Sequence, residues 1–246
     1  MKNYMLLASL TFVLACSTKP GENENGTADS TALHETSSTA WLELDTAHLK
    51  VYEPDDTIVK FTTPPPPQDI NIWEKNNLKT DSLVKRIPEG LQFRLRNNTV
   101  KLLKENKQTD GDDYLAYTFV RTLDDVDQWL VMASYYESFD YVLVDQNDGT
   151  ENHLWGEPVF SPDKKYFITS QVDLEAGFVP NGFQLWSAEN NKPLRLWELI
   201  INDWGADKLI WTKNNFIIGE QTYRDEASGE LKQRVIKIPL ISREVQ

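Results

Sequence analysis

Cysteine is almost absent: Cys16 is the only one in 246 residues. No disulfide can form within the chain, and neither a thiolate metal cage nor a Cys–His nucleophile pair can be assembled in its body. Histidine is scarce too, with His34, His48 and His153 alone. Only His153 falls in the strand-rich C-terminal part. A His-based metal site there lacks ligands, and a Ser-His-Asp triad would have to use His153 without any Gly-x-Ser-x-Gly elbow beside it. A single strand histidine more often packs or faces water. No Gly-rich phosphate loop is present. No apolar run reaches the roughly 18 residues of a membrane span, and no stretch keeps a 3.6-residue period beyond about two turns. Positive charge is also in short supply, with 25 Lys and Arg against 38 Asp and Glu, a net of −13. That argues against nucleic acid, whose phosphates would be repelled, and against the protein body lying on anionic lipid. It favours a cationic partner.

What is present begins at the N-terminus. Lys2 precedes an apolar run from Tyr4 to Ala15 that ends Val13-Leu14-Ala15-Cys16. Its length of about 12 residues is too short to span a bilayer. The ending resembles a bacterial lipobox. The resemblance implies that residues 1–15 are a lipoprotein signal peptide, that Cys16 is lipidated, and that two or three acyl chains hold the protein stably at a membrane. An ordinary secretory peptide ending at Ala15 is the alternative. Ser17, where an Asp marks inner-membrane retention in enteric lipoproteins, implies the outer membrane. The expected location is therefore the cell envelope, lipid-anchored.

Residues 16–40 are rich in Ser, Thr, Glu, Asn and Gly. They cannot bury enough surface to offset their ordering entropy and are expected to be a disordered tether with a reach of roughly 25–30 Å. Residues 41–86 read as a partly ordered lead-in. It contains short alternating runs at Leu49–Tyr52 and Thr57–Phe61 and a polyproline spacer at Pro64–Pro67. From Ile87 to Gln246 the pattern clears into an all-β domain. Leu91–Arg96, the turn Asn97-Asn98 and Thr99–Leu103 predict a β-hairpin. Further strands are expected at Tyr114–Arg121, Trp129–Tyr136, Phe139–Asp145, Glu151–Trp155, Tyr166–Ser170, Phe183–Ser187, Pro193–Leu199, Lys208–Trp211, Phe216–Tyr223 and Glu230–Ile238. Such a succession is an antiparallel meander.

The segment Pro158–Ile168, with Ser161-Pro162-Asp163-Lys164 at its centre, resembles the turn that opens an inner strand in bacterial β-propeller blades, where Gly usually stands at the position of Lys164. Blades need about 40–50 residues, so the 160 from Ile87 onward hold three to four. The expected architecture is a propeller-like or open stack of small sheets, with a β-sandwich as the alternative. Three stretches (Leu91–Asn98, Trp155–Asp163 and Asp173–Trp186) are similar to an uncharacterised family of small secreted bacterial proteins and lipoproteins. That resemblance implies an envelope compartment and a β fold and carries no catalytic residues.

The long connection Gln171–Gly182 mixes carboxylates with an aromatic. Asp173, Glu175, Phe178 and Asn181 are its candidate partner-binding residues, set against a reading in which Phe178 plugs the sheet and the glycines make turns. Asp145–Gly149 has the wrong register for a calcium loop and reads as a hairpin turn. The acidic loops Asp110–Asp113 and Asp124–Asp127 read as solvated turns. Asp29-Ser30-Thr31, Asp45-Thr46-Ala47, Asp56-Thr57-Ile58 and Asp81-Ser82-Leu83 resemble the O-glycosylation sequence of Bacteroidetes envelope proteins. No catalytic residue, metal or cofactor is expected. The sequence leans towards a non-enzymatic envelope module that binds a protein or glycan and no nucleic acid. A carboxylate-dependent hydrolase of envelope glycans and a structural subunit of an outer-membrane assembly are the alternatives.

Overall fold

A computed structural model describes residues 41–51, 69–109 and 111–243. Cys16, the tether, the Thr57–Phe61 run and the Pro64–Pro67 spacer lie outside them. In chain order β1 (Trp41–Leu44) and β2 (Lys50–Val51) are followed by α1 (Ile70–Asn77). A first sheet holds β3 (Val84–Ile87), β4 (Gly90–Arg94) and β5 (Val100–Lys104). A second holds β6 (Leu115–Leu123), β7 (Gln128–Tyr135), β8 (Phe139–Asp145) and β9 (Glu151–Leu154). A third holds β10 (Val159–Phe160), β11 (Tyr166–Gln171), β12 (Gly182–Ser187) and β13 (Leu194–Ile200). The fourth holds β14 (Trp204–Trp211), β15 (Phe216–Arg224) and β16 (Leu231–Arg243), joined by β1 and β2 along β16. All these pairings are antiparallel.

The architecture is an all-β, propeller-like succession of small sheets, and side-chain alternation explains it. Trp129, Val131 and Ala133 of β7 pack with Leu91, Phe93 and Leu103 of the first sheet. Leu130, between them in sequence, points the other way and packs with Phe167 and Trp186 of the third. Ile168 and Leu185 in turn meet Ile217, Ile236 and Ile238 of the fourth. The middle sheets are therefore buried on both faces, which is why β7 reads as a nearly unbroken apolar run. Each such fully buried side chain contributes about 1.5–3 kcal/mol. Among the described residues no core cluster joins the first sheet to the fourth, so the stack is open.

Local chemistry sets the turns. Asn97 Oδ1 accepts from Thr99 N at 2.9 Å while Asn98 takes φ 67°. Asp145 Oδ1 accepts from Asn147 N at 2.7 Å and Asp148 N at 3.1 Å, ahead of Gly149 at φ 75°. The segment read as a lead-in contributes to these same sheets. β1 pairs with β16, α1 packs against β6, and residue 87 falls inside the β3–β4 hairpin, opposite Gly90.

Beyond a single backbone bridge between Leu115 and Asn106, the open edge of β6 is closed by side chains in place of a strand. Glu74 of α1 accepts from Phe119 N at 2.8 Å, and Glu105 accepts from Tyr117 N at 2.8 Å. Between them Arg86 donates to Glu74 Oε1 and Tyr117 O, both at 2.5 Å, and to Glu105 at 2.7 Å. Burial disfavours the Glu105 carboxylate, but Lys107, the Tyr117 amide and Arg86 outweigh it and hold the group below its usual range.

Candidate functional site

A groove of about 1030 Å³ opens among the described residues. It is lined by β6, β10 and β14, which open the second, third and fourth sheets, together with the start of β8 and the β11–β12 loop.

That loop is organised by Asp173. Its Oδ1 accepts from the amides of Ala176 and Gly177, both at 2.9 Å. Its Oδ2 accepts from Phe178 N at 2.7 Å and Val179 N at 3.2 Å. These amide bonds, led by that of Gly177, hold the carboxyl below its ordinary value. Asn181 is buried and clamps the loop's far end. Its Oδ1 accepts from Asp173 N at 3.1 Å, and its Nδ2 donates to Ile201 O at 2.5 Å and Trp204 O at 2.8 Å. Gly182 follows at φ 145°, where a Cβ would stand 2.0 Å from Leu199 O. Of the four residues singled out in this loop, Asp173 and Asn181 are thus consumed in holding its shape. Glu175 is exposed and does not line the groove, whereas Phe178 lines it and is 58% exposed.

The opposite wall comes from the second sheet. Phe139 is 46% exposed and meets Tyr141 edge-on at 6.2 Å between ring centres, with Trp155 nearby in the lining. Gln171 Nε2 donates to Phe139 O at 3.3 Å and ties the walls together. Charge in the groove is unevenly satisfied. Arg121 is ion-paired with Glu157, and Lys208 with Glu220. Asp207 differs: its buried Oδ1 has no hydrogen-bond partner, and burial raises its acid above the ordinary carboxylate value. With both cations paired, the groove presents ring faces, while Asp207 Oδ1 is itself buried.

An adjoining recess of about 300 Å³ shares Phe139, Trp155, Gln171 and Val179 with the groove. In it His153 Nδ1 lies 2.8 Å from Asp140 Oδ2, and Tyr135 Oη donates to Asp140 Oδ1 at 3.3 Å. The Asp140 bond raises His153 above 6.5 despite partial burial. Ser138 lines the same recess, but among the described residues it makes no hydrogen bond to His153, so the nucleophile–base contact of a triad is not formed. No group of three or more His, Cys, Asp or Glu stands ready for a metal among the described residues.

Sequence reasoning did not single out Phe139, Trp155 or Asp207. The first two sit at strand ends in patterns that read as core, and Asp207 precedes a β-bulge in β14 whose next residue, Lys208, takes φ 49°. Asp207 is followed directly by Lys208 and so reads as one half of a solvated charge pair, which hides its burial.

No family model and no curated protein matches the chain. Among solved structures it is similar to the crystal structure of TolB from Acinetobacter baumannii, with 13% sequence identity over 79% of this chain and 74% of that one. The TM-score is 0.25, a superposition too loose to carry residue roles or function across.

Proposed function

We propose that this chain is a non-enzymatic binding module, held at the cell envelope through Cys16, whose groove takes an uncharged or cationic segment of an envelope glycan or protein. One observation carries this reading. Phe139 and Phe178, from different sheets, leave their rings exposed in a single groove whose unsatisfied polar atom is the acceptor Asp207 Oδ1. Exposed rings supply stacking area at low conformational cost, and the Asp207 carboxyl, which lines the same groove, rewards a donor-bearing ligand once its Oδ1 is uncovered. An anionic ligand finds no free cation among the residues lining this groove.

Glu137 and Asp207 line the same groove, and burial raises the acid of Asp207; this pair favours a second reading, in which Asp207 serves as the proton donor of a glycan hydrolase. Crosslinking capture from native envelopes, comparing the wild type with Cys16→Ser and with Phe139→Ala/Phe178→Ala, tests both. Recovery of one partner by the wild type and its loss from the double alanine variant supports the binding module. Dependence of that recovery on Cys16 supports the anchor. Release of cleaved glycan that stops in Asp207→Asn selects the hydrolase. Capture of nothing specific by any form overturns the groove as a binding site.

A further inference from the structure

Net charge hides an asymmetry that strand register exposes. In the first sheet Lys85 stands opposite Gln92, which stands opposite Leu102. Ile87, Gly90 and Lys104 form the next row, and Arg94 faces Val100. Because successive side chains alternate between faces, all of these share the face turned away from the core, while Val84, Leu91, Phe93 and Leu103 fill the other. The outer face therefore carries Lys85, Arg94 and Lys104 among Ile87, Val100 and Leu102, with no carboxylate. Val100 is 57% and Leu102 40% exposed. Among the described residues the three cations make no ion pair and no side-chain hydrogen bond, whereas Arg86, on the inner face, is fully engaged. Glu105 follows Lys104 but turns inward to Arg86, and Glu89 sits in the β3–β4 turn.

We infer that this face docks on a membrane surface bearing anionic phospholipid headgroups. The inference depends neither on the groove's ligand nor on acylation of Cys16. Charge complementarity is the first argument: three unpaired cations with aliphatic side chains between them match headgroup phosphates above an apolar layer. Size is the second. Strands of four, five and five residues cover about 17 by 10–14 Å, far less than the roughly 800 Å² per partner of a stable protein interface. Such a face suits a continuous surface rather than a second copy. Distance is the third. Sheets stack about 10 Å apart, so acidic charge on the second and later sheets lies about a Debye length or more from the plane at 0.1 M salt. The overall charge of −13 therefore opposes this contact less than its size implies. A lipid anchor would add to the contact by holding the face close, since one acyl signal and a basic patch act together.

The test uses the full chain carrying Cys16→Ser, so that no acyl chain contributes. Its co-sedimentation is measured with vesicles of phosphatidylcholine alone and of phosphatidylcholine with phosphatidylglycerol. Preference for the anionic vesicles is expected, weakening as salt is added. Lys85→Gln/Arg94→Gln/Lys104→Gln is expected to lower the partition about a hundredfold. Lys50→Gln/Lys165→Gln/Lys213→Gln makes the same change of net charge elsewhere and is expected to preserve it. Thermal melts confirm that both variants fold, since every substituted side chain is exposed. Equal binding to the two vesicle types overturns the inference, as does an equal loss in the control variant. Self-association of the wild type that the first triple variant abolishes would name a second copy as the occupant.

Discussion

Glu74 Oε1 accepts the amide of Phe119 at 2.8 Å, so a helix carboxylate occupies the position that a neighbouring strand's carbonyl would take. The same oxygen receives Arg86 Nη2 at 2.5 Å. The edge of β6 is thereby closed by charged groups, which also denies it to another chain's strand.

Removing that carboxylate leaves Arg86 short of a partner and the Phe119 amide unsatisfied. Glu74→Ala is expected to destabilise the protein by about 3 kcal/mol, lowering the melting temperature by roughly 6–12 °C. It is also expected to promote strand-mediated aggregation. Thermal unfolding followed by circular dichroism, with light scattering alongside, measures both. A melting point within about 2 °C of wild type would contradict the bridging role.

The loop residues separate by role. Asn181→Ala removes the side chain that binds Asp173 N, Ile201 O and Trp204 O, and it is expected to cost about 2–4 kcal/mol and to open residues 172–180 to protease. Phe178→Ala, whose ring is exposed, should change stability by no more than about 0.5 kcal/mol while removing ligand capture. Comparing melts and limited proteolysis of the two variants checks the assignment.

Two pH dependences follow, with opposite signs. His153 is raised above 6.5 by Asp140. Its contribution to stability is complete below that ordinary value and is lost as pH rises through the raised one. His153→Gln should flatten this alkaline limb, which is small because the side chain is half exposed. Asp173 and Glu105 are lowered. Their contribution is present above the usual carboxylate range of about 4 and is lost as pH falls through the lowered values. Asp173→Asn should reduce the acid limb alone. Urea denaturation across pH reads both limbs.

Lys164 occupies φ 62° in the turn after Ser161, a conformation that Gly adopts without a Cβ penalty. Its ion pair with Asp125 spans 3.5 Å between exposed side chains and contributes little. Lys164→Gly is expected to stabilise by about 0.5–1 kcal/mol, visible as a rise of roughly 1–4 °C in the melt. A fall would show that the contact of Lys164 with the Phe160 ring outweighs backbone strain.

These features differ in how far they could be read in advance. The Asn97-Asn98 hairpin and the Asp145–Gly149 turn were legible because turn chemistry is local. α1 is capped by Asp69, which accepts from Asn71 N and Ile72 N, but eight residues give too short a period to recognise. β1 carries no local sign of its partner, since Trp41 pairs with Arg243 at the other end of the chain. In the groove, the length of the β11–β12 connection marked the right loop. Its carboxylate and its aromatic could not be told apart as scaffold and surface until the amides of residues 176–179 were seen to converge on Asp173. Phe139 and Asp207 meet only through the stacking of three sheets, which no window of sequence contains.

The pairing of β1 with β16 has a consequence for assembly and for load. During synthesis the fourth sheet cannot be completed until residues 231–243 have emerged, so residues 41–44 are made first and seated last. Once seated, they are the described segment nearest the N-terminus. A pull from that direction is borne first by the four registered pairs from Trp41–Arg243 to Leu44–Leu240, and the fourth sheet would begin to unravel at β1 and the last residues of β16 together.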